Sequence, residues 1–221
     1  MKKLFFVFAA FTLLTSCLPK VALAPEYWNQ PSKVGILVNA GPPAKYKEGS
    51  QGLLDMAVTS GDKYQEGLQV IGEQIKPKEE LISLYTEILK SKGKEVVIID
   101  ETFDAKTAPK FEGPKAEGKK YSRYDYSNFK KKYNVDELLV TDVHYGFMIS
   151  YYGMIETGKM AHVLLNTSLV NLNDQSLILS DINMKNEVLK KWKDNNYENS
   201  VQGVRKALDK AKEEEKNVHL K

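Results

Sequence analysis

Pro77-Lys78-Glu79-Glu80-Leu81-Ile82-Ser83-Leu84-Tyr85-Thr86-Glu87-Ile88-Leu89-Lys90-Ser91-Lys92-Gly93-Lys94-Glu95-Val96-Val97-Ile98-Ile99-Asp100 carries a helix and a buried strand back to back. Proline suits a first helical position, and Glu79 and Glu80 sit where the helix dipole favours anions. Leu81, Leu84, Tyr85 and Ile88 recur as one apolar stripe, Lys90 and Lys92 complement the C-terminal end, and Gly93 supplies the stop. Glu95 to Asp100 then reads as a short strand rich in β-branched residues.

Upstream, Lys33-Val34-Gly35-Ile36-Leu37-Val38-Asn39 is a similar apolar run, closed by Gly41-Pro42-Pro43. Strand, helix and strand with a short final connection predict a parallel, right-handed crossover. Between them, Leu53, Leu54, Met56 and Ala57 suit a short helix, while Tyr64, Leu68, Ile71 and Ile75 keep helical spacing despite Gly67 and Gly72. Residues 101–122, rich in Gly, Pro and Lys, read as an exposed loop, and Tyr126 to Tyr133 as a short helix.

From Glu137 the pattern turns to β. One strand runs from Leu138 towards Tyr152, a second from Met160 to Leu172, and a third from Ser176 to Met184 after the tight link Asn173-Asp174-Gln175. The second puts Val163, Leu165 and Leu169 on one side and Leu164, Val170 and Leu172 on the other. A last helix carries Val201, Val204, Leu208 and Ala211 on one face. The predicted fold class is α/β: a single domain with a mixed β-sheet, one parallel β-α-β crossover, an antiparallel three-strand meander and a C-terminal helix.

The N-terminus is of a different kind. Met1-Lys2-Lys3, an apolar run from Leu4 to Leu14, and Leu14-Thr15-Ser16-Cys17 form a secretory signal ending at the only cysteine of the 221 residues. The motif resembles the lipobox of bacterial lipoproteins, which implies cleavage before Cys17 and lipidation of its sulfur. The run is about half of the roughly 20 residues a spanning helix needs, and Pro19 and Lys20 follow at once. Leu18 stands where an aspartate would imply retention at the inner membrane, so the resemblance implies the outer membrane. The expected organisation is a signal peptide over 1–16, a lipidated tether over 17–32 containing Pro19, Pro25 and Pro31, an α/β domain over 33–215, and a charged tail over 216–221. Sixteen extended residues would reach about 50 Å.

Without Lys2 and Lys3, 30 basic side chains face 29 acidic ones, so no concentrated positive charge recommends nucleic acid as a partner. With Cys17 lipidated, no thiol is left for a disulfide or a metal.

Chemistry-bearing motifs are scarce. There is no G-x-S-x-G, no phosphate loop and no G-x-G-x-x-G after a strand. Asp142 and His144 share a strand face, and His162 falls on the next strand, where it could face His144 across the ladder. Polar residues on a strand face account for them more simply than a metal or acid–base site, so no catalytic residue, metal or cofactor is expected. His219 falls in the charged tail and suggests nothing.

Lys119, Lys120, Arg123 and Lys130-Lys131-Lys132 alternate with Tyr121, Tyr124, Tyr126 and Phe129. They read either as a solvated surface or as a contact for anionic lipid or polymer, with the solvated surface favoured. Phe147 to Gly158 is rich in large apolar residues where two strands join, with Glu156-Thr157-Gly158 as the expected turn. Exposed, these side chains would form a partner site; turned inward, they are strand-end packing. Tyr151, Tyr152 and Met154 are the expected contact residues.

The lipobox, the K-V-G-I-L-V and E-V-V-I-I-D strands, D-E-L-L-V-T-D-V, S-Y-Y-G-M-I and L-V-N-L-N-D-Q-S together resemble a group of uncharacterised proteobacterial outer-membrane lipoproteins. Their α/β domain is similar to the N-terminal domain of TolB, to the curli-secretion lipoprotein and to the lipoprotein activator of a peptidoglycan synthase. The resemblance covers about residues 33–215. It implies envelope location and work through protein contacts.

The expected function is thus that of a membrane-anchored bacterial lipoprotein, facing the periplasm as the resemblance implies and acting without catalysis as an envelope adaptor or assembly factor. The alternative is a periplasmic ligand-binding lipoprotein holding a small molecule, lipid or metal between sheet and helices.

Overall fold

The computed structural model describes residues 19–221. The expected signal peptide and Cys17 lie outside the described residues.

One six-stranded mixed sheet organises the chain: β1 (Lys33–Ala40), β2 (Ala44–Ser50), β3 (Glu95–Ile98), β4 (Glu137–Tyr152), β5 (Ile155–Asn171) and β6 (Leu177–Val188). The order is β3-β1-β4-β5-β6, with β1 parallel to both its neighbours and the last three strands antiparallel. The sequence-predicted crossover is therefore present, running from β1 to β3 through α1 (Leu53–Val58), α2 (Gln65–Gln74) and α3 (Pro77–Ser91). A second parallel link passes from β3 to β4 through α4 (Ser127–Tyr133). Helix α5 (Asp194–Glu214) closes the fold, its opening residues Asn195, Asn196 and Tyr197 taking left-handed backbone angles before regular helix begins.

β2 escaped the sequence reading because Ala44-Lys45-Tyr46-Lys47-Glu48-Gly49-Ser50 has no buried side chain. It forms because β4, 16 residues long, outlasts β1 and leaves a free edge. β1 pairs with β4 as far as Ala40↔Val143; Gly41-Pro42-Pro43 leads the chain out, and pairing resumes at Ala44↔Gly146.

Alternation along the strands separates two cores. Val34, Ile36 and Val38, with Leu139, Phe147, Val163 and Leu165, face α2, α3 and α5. Leu37, Leu138, Val140 and Val170 face the other way, onto Tyr126, Val135 and the aromatics Phe103, Tyr124 and Phe129. The same alternation sends the adjacent β5 residues Leu169 and Val170 into opposite cores. The second layer covers only part of its face; Asp142, His144, Leu164, Ile182 and Met184 lie beyond full burial.

Both expected floppy ends are corrected over their described residues. The 17–32 segment is docked rather than free: Val21 exchanges backbone hydrogen bonds with Ser180 at 2.8 and 2.9 Å. The Tyr27 hydroxyl donates to Glu137 at 2.6 Å, and Lys94 holds the carbonyls of Tyr27 and Gln30. Prolines spaced along this stretch hid its aromatic anchors. Four residues from Cys17 to Val21 reach about 14 Å, not the 50 Å of a free tether. At the other end, 216–221 is no solvated tail, since His219 and Leu220 are buried. The meander turn also moves: it is Gly153-Met154, and Glu156 to Gly158 belong to β5.

Candidate partner-binding surface

The β4–β5 hairpin ends at Gly153, whose positive φ of 57° makes the tight turn. Its amide donates to the Ser50 carbonyl at 3.0 Å, and Gln51 Nε2 donates to its carbonyl at 2.9 Å and to Thr59 Oγ1 at 3.1 Å. The tip is thereby tied to β2 and α1. Below it, the Glu156 carboxylate lies 2.6 Å from Lys63 Nζ and 2.9 Å from Lys159 Nζ. Burial pushes the Glu156 carboxyl up, but hydrogen bonds from these two ammonium groups outweigh it and hold it at about 2.

Around this braced tip stand large apolar side chains with no internal partner. Leu53 is 83 % exposed, Tyr152 74 % and Ile155 66 %, and Leu54, Val58 and Met154 are also exposed. Val58 and Met154 line one cavity of about 440 Å³ with Lys45, Tyr64 and Glu156. Isolated exposed apolar residues are ordinary, but several gathered at one end of a sheet are the mark of an interaction surface.

The predicted contact residues divide here. Tyr152 and Met154 point into solvent, whereas Tyr151 is only 4 % exposed and belongs to the main core, which corrects its assignment as a contact. Strand alternation is the reason: neighbours on β4 face opposite ways. Tyr151→Ala should therefore lower stability by about 3 kcal/mol, while Tyr152→Ala should change it by less than about 0.5 kcal/mol. Urea unfolding of the two variants checks this; equal losses would show that both tyrosines are packed.

α1 was legible only as a helix, and its outward leucines were not separated from core ones. With Met56, Ala57 and Val58 one turn on, Leu53 and Leu54 extend an apolar run around a helix of six residues, so spacing alone does not tell an outward face from a core one.

The histidines share one sheet face, His144 exposed and His162 buried. His144 is paired with Leu164 and His162 with Gly146, so they are diagonal and not directly opposed. Tyr46 packs against them, its ring centroid 4.9 Å from His162 and 6.1 Å from His144. Burial pushes His162 down; the Asn186 contact, 2.7 Å from its Nδ1, opposes that, and neighbouring His144 adds to it. Asp142 turns instead to Asn39, whose Nδ2 donates to it at 2.8 Å. No group of three His, Cys, Asp or Glu placed to hold a metal occurs among the described residues.

Three of the six basic residues of 119–132 are partnered: Lys119 with Asp174 at 2.9 Å, Lys130 with Asn173, and Lys132 with Glu101. Their interleaved aromatics Tyr124, Tyr126 and Phe129 turn inward to the second core. No helix among the described residues is long and apolar enough to cross a membrane.

The fold is thus a single α/β domain on a mixed six-stranded sheet. No family model and no curated protein matches the sequence. Among solved structures, the chain is similar to protein XCC0632 of Xanthomonas campestris, with 11 % identity, a TM-score of 0.38, and coverage of 89 % of this chain and 88 % of that one. It is similar to lipoprotein GNA1162 of Neisseria meningitidis at 11 % identity and TM-score 0.37, covering 81 % and 96 %. PelC of Paraburkholderia phytofirmans, solved as a dodecamer, gives 12 % identity, TM-score 0.30, and 87 % and 94 % coverage. All three superpositions are loose.

Proposed function

We propose that this chain is a lipid-anchored, non-catalytic adaptor of the bacterial envelope, held to the outer membrane through Cys17 on the periplasmic side, and that its β4–β5 tip grips another envelope protein. The observation that carries the reading is an apolar tip braced by hydrogen bonds yet left uncovered.

Position favours a protein over the anchoring bilayer. The N-terminal segment joins the sheet at Ser180, which aligns through Ser168 with Val140. From Val140 to Tyr152 the strand runs about 40 Å, well beyond the short chain left between Cys17 and Val21. A lipid at Cys17 would hold the membrane at one region of the domain and leave the tip free for a partner.

A photo-crosslinking residue placed at Tyr152 in living cells should give a discrete protein adduct, and one placed at Asn173 should not. Leu53→Ser combined with Met154→Ser should abolish the adduct while leaving the melting temperature unchanged. Adducts to lipid alone, or equal protein adducts from both positions, would overturn the reading.

A further inference from the structure

A second cavity, of about 630 Å³, lies elsewhere on the molecule, between the open part of the sheet and the loop over 101–126. Its size falls in the range of small-molecule sites. The floor is made of two cross-strand pairs, Asp142 with Asn166 and Ser168 with Ser180. Aromatic rings of the loop form the roof. Phe111 stacks on Tyr121 with centroids 5.7 Å apart and planes 18° apart, and Tyr124 and Tyr126 continue the wall.

The roof is preformed. Phe111 N donates to Arg123 O and Asp125 N to Pro109 O, both at 3.0 Å, which zips the two arms of the loop together. Ser122 N donates to Gln175 O at 2.9 Å and Leu177 N to Lys120 O at 2.8 Å, which fastens the loop to the sheet.

The polar groups select the ligand. Asn166 Oδ1 is buried with no hydrogen-bond partner, an arrangement that costs free energy unless a donor arrives. Beside it stands the Asp142 carboxylate, another acceptor, so the floor asks for hydroxyl or amide donors. A phosphate or carboxylate brings only acceptors and would meet the Asp142 charge. A cationic ligand would meet three like charges in the lining, Lys110, Lys115 and Arg123, against the two acids Glu112 and Asp142. What remains is a neutral molecule rich in hydroxyls, with apolar faces that can lie on aromatic rings.

We infer that this cavity is a binding site for a short neutral saccharide, stacked on the Phe111–Tyr121–Tyr124 wall and donating hydrogen bonds to Asn166 and Asp142. The site is separate from the hairpin tip, and neither reading depends on the other.

Isothermal titration of the whole chain with maltotriose, cellotriose and chitotriose tests this. At least one should bind. Asn166→Ala should weaken that binding about tenfold, the loss expected for one buried hydrogen bond, with an unchanged melting temperature. Tyr124→Ala should weaken it as well, and because Tyr124 also packs in the second core, Asn166→Ala is the deciding variant. Binding of none of the three sugars overturns the inference, as does equal binding by wild type and Asn166→Ala. If vesicles of phosphatidylglycerol bind wild type but not Asn166→Ala, the cavity belongs to an acidic lipid and the inference fails.

Discussion

Gly146→Ala should unfold this domain far more readily than any surface change, by about 3 kcal/mol or more, which for a chain of this size lowers the melting temperature by roughly 10 °C. Gly146 has φ of 135°, a region that side chains of L-residues rarely adopt, and a Cβ there would sit 2.3 Å from the carbonyl oxygen of Ala44. Backbone cannot step aside as a flexible side chain can. The position is where β4 changes its neighbour from β1 to β2, and Ala44↔Gly146 is the first pair of the new ladder. Forcing it apart loosens β2, and with it the hydrogen bonds that brace the apolar tip, from Gly153 N to the Ser50 carbonyl and from Gln51 Nε2 to the Gly153 carbonyl. Gly41→Ala is the control, since a Cβ there meets nothing within 4 Å. Thermal melts of the two variants decide the matter: matching melting temperatures would mean that the β1–β2 switch does not depend on this glycine.

That switch also shows where sequence reading ends. The run Val34-Gly35-Ile36-Leu37-Val38 declares itself because burial on both faces demands continuous apolar residues, whereas Glu95–Ile98, expected as a buried strand, lies at the sheet edge with none of its residues fully buried. The meander declares itself by long alternating strands joined by short turns. β2 has neither property, because it is held by backbone hydrogen bonding to an edge that β4 supplies, and a strand of Lys, Tyr and Glu carries no periodic signal. The proposed partner surface was half legible. Its location at Tyr152 and Met154 followed from apolar content, but Tyr151 was misplaced because facing depends on register, and the turn was read three residues too late. The cavity was not legible at all. It needs Asn166 and Phe111, far apart in sequence, to meet across a loop whose Gly, Pro and Lys content suggested only solvent. The polar residues Asn166 and Ser168, interrupting an apolar strand at a spacing of two, were the one available hint.

The C-terminal end leads to the second large effect. A single π-type turn over Glu215–His219, closed by Leu220 N donating to Glu215 O at 2.9 Å, folds His219 back onto Glu215. The Glu215 carboxylate is fully buried and accepts from the Tyr85 hydroxyl at 3.1 Å and Asn183 Nδ2 at 3.1 Å, with His219 Nδ1 3.0 Å away. Tyr85 stays protonated, pushed well above its ordinary value first by burial and then by Glu215 itself. Glu215→Leu leaves those donors facing an apolar group and should cost about 3–5 kcal/mol, as the loss of one partner from a buried charged network does.

The same network makes stability depend on pH in a definite direction. The hydrogen bond to Glu215 raises His219 above its ordinary 6.5; burial opposes this, and the charges of Glu215, Asp181 and Glu214 add to it. The folded state therefore holds a proton that the unfolded chain releases sooner. The stabilisation is complete below the unfolded value near 6.5 and is lost as pH climbs through the higher folded value. Urea unfolding at pH 6 and pH 9 should show wild type weaker at pH 9 by a margin that His219→Ala removes. Glu215→Gln should flatten the same difference, because it takes away the first cause of the shift while keeping an acceptor for Tyr85. An undiminished difference in both variants would place the pH dependence in other groups and leave the terminal turn a matter of packing alone.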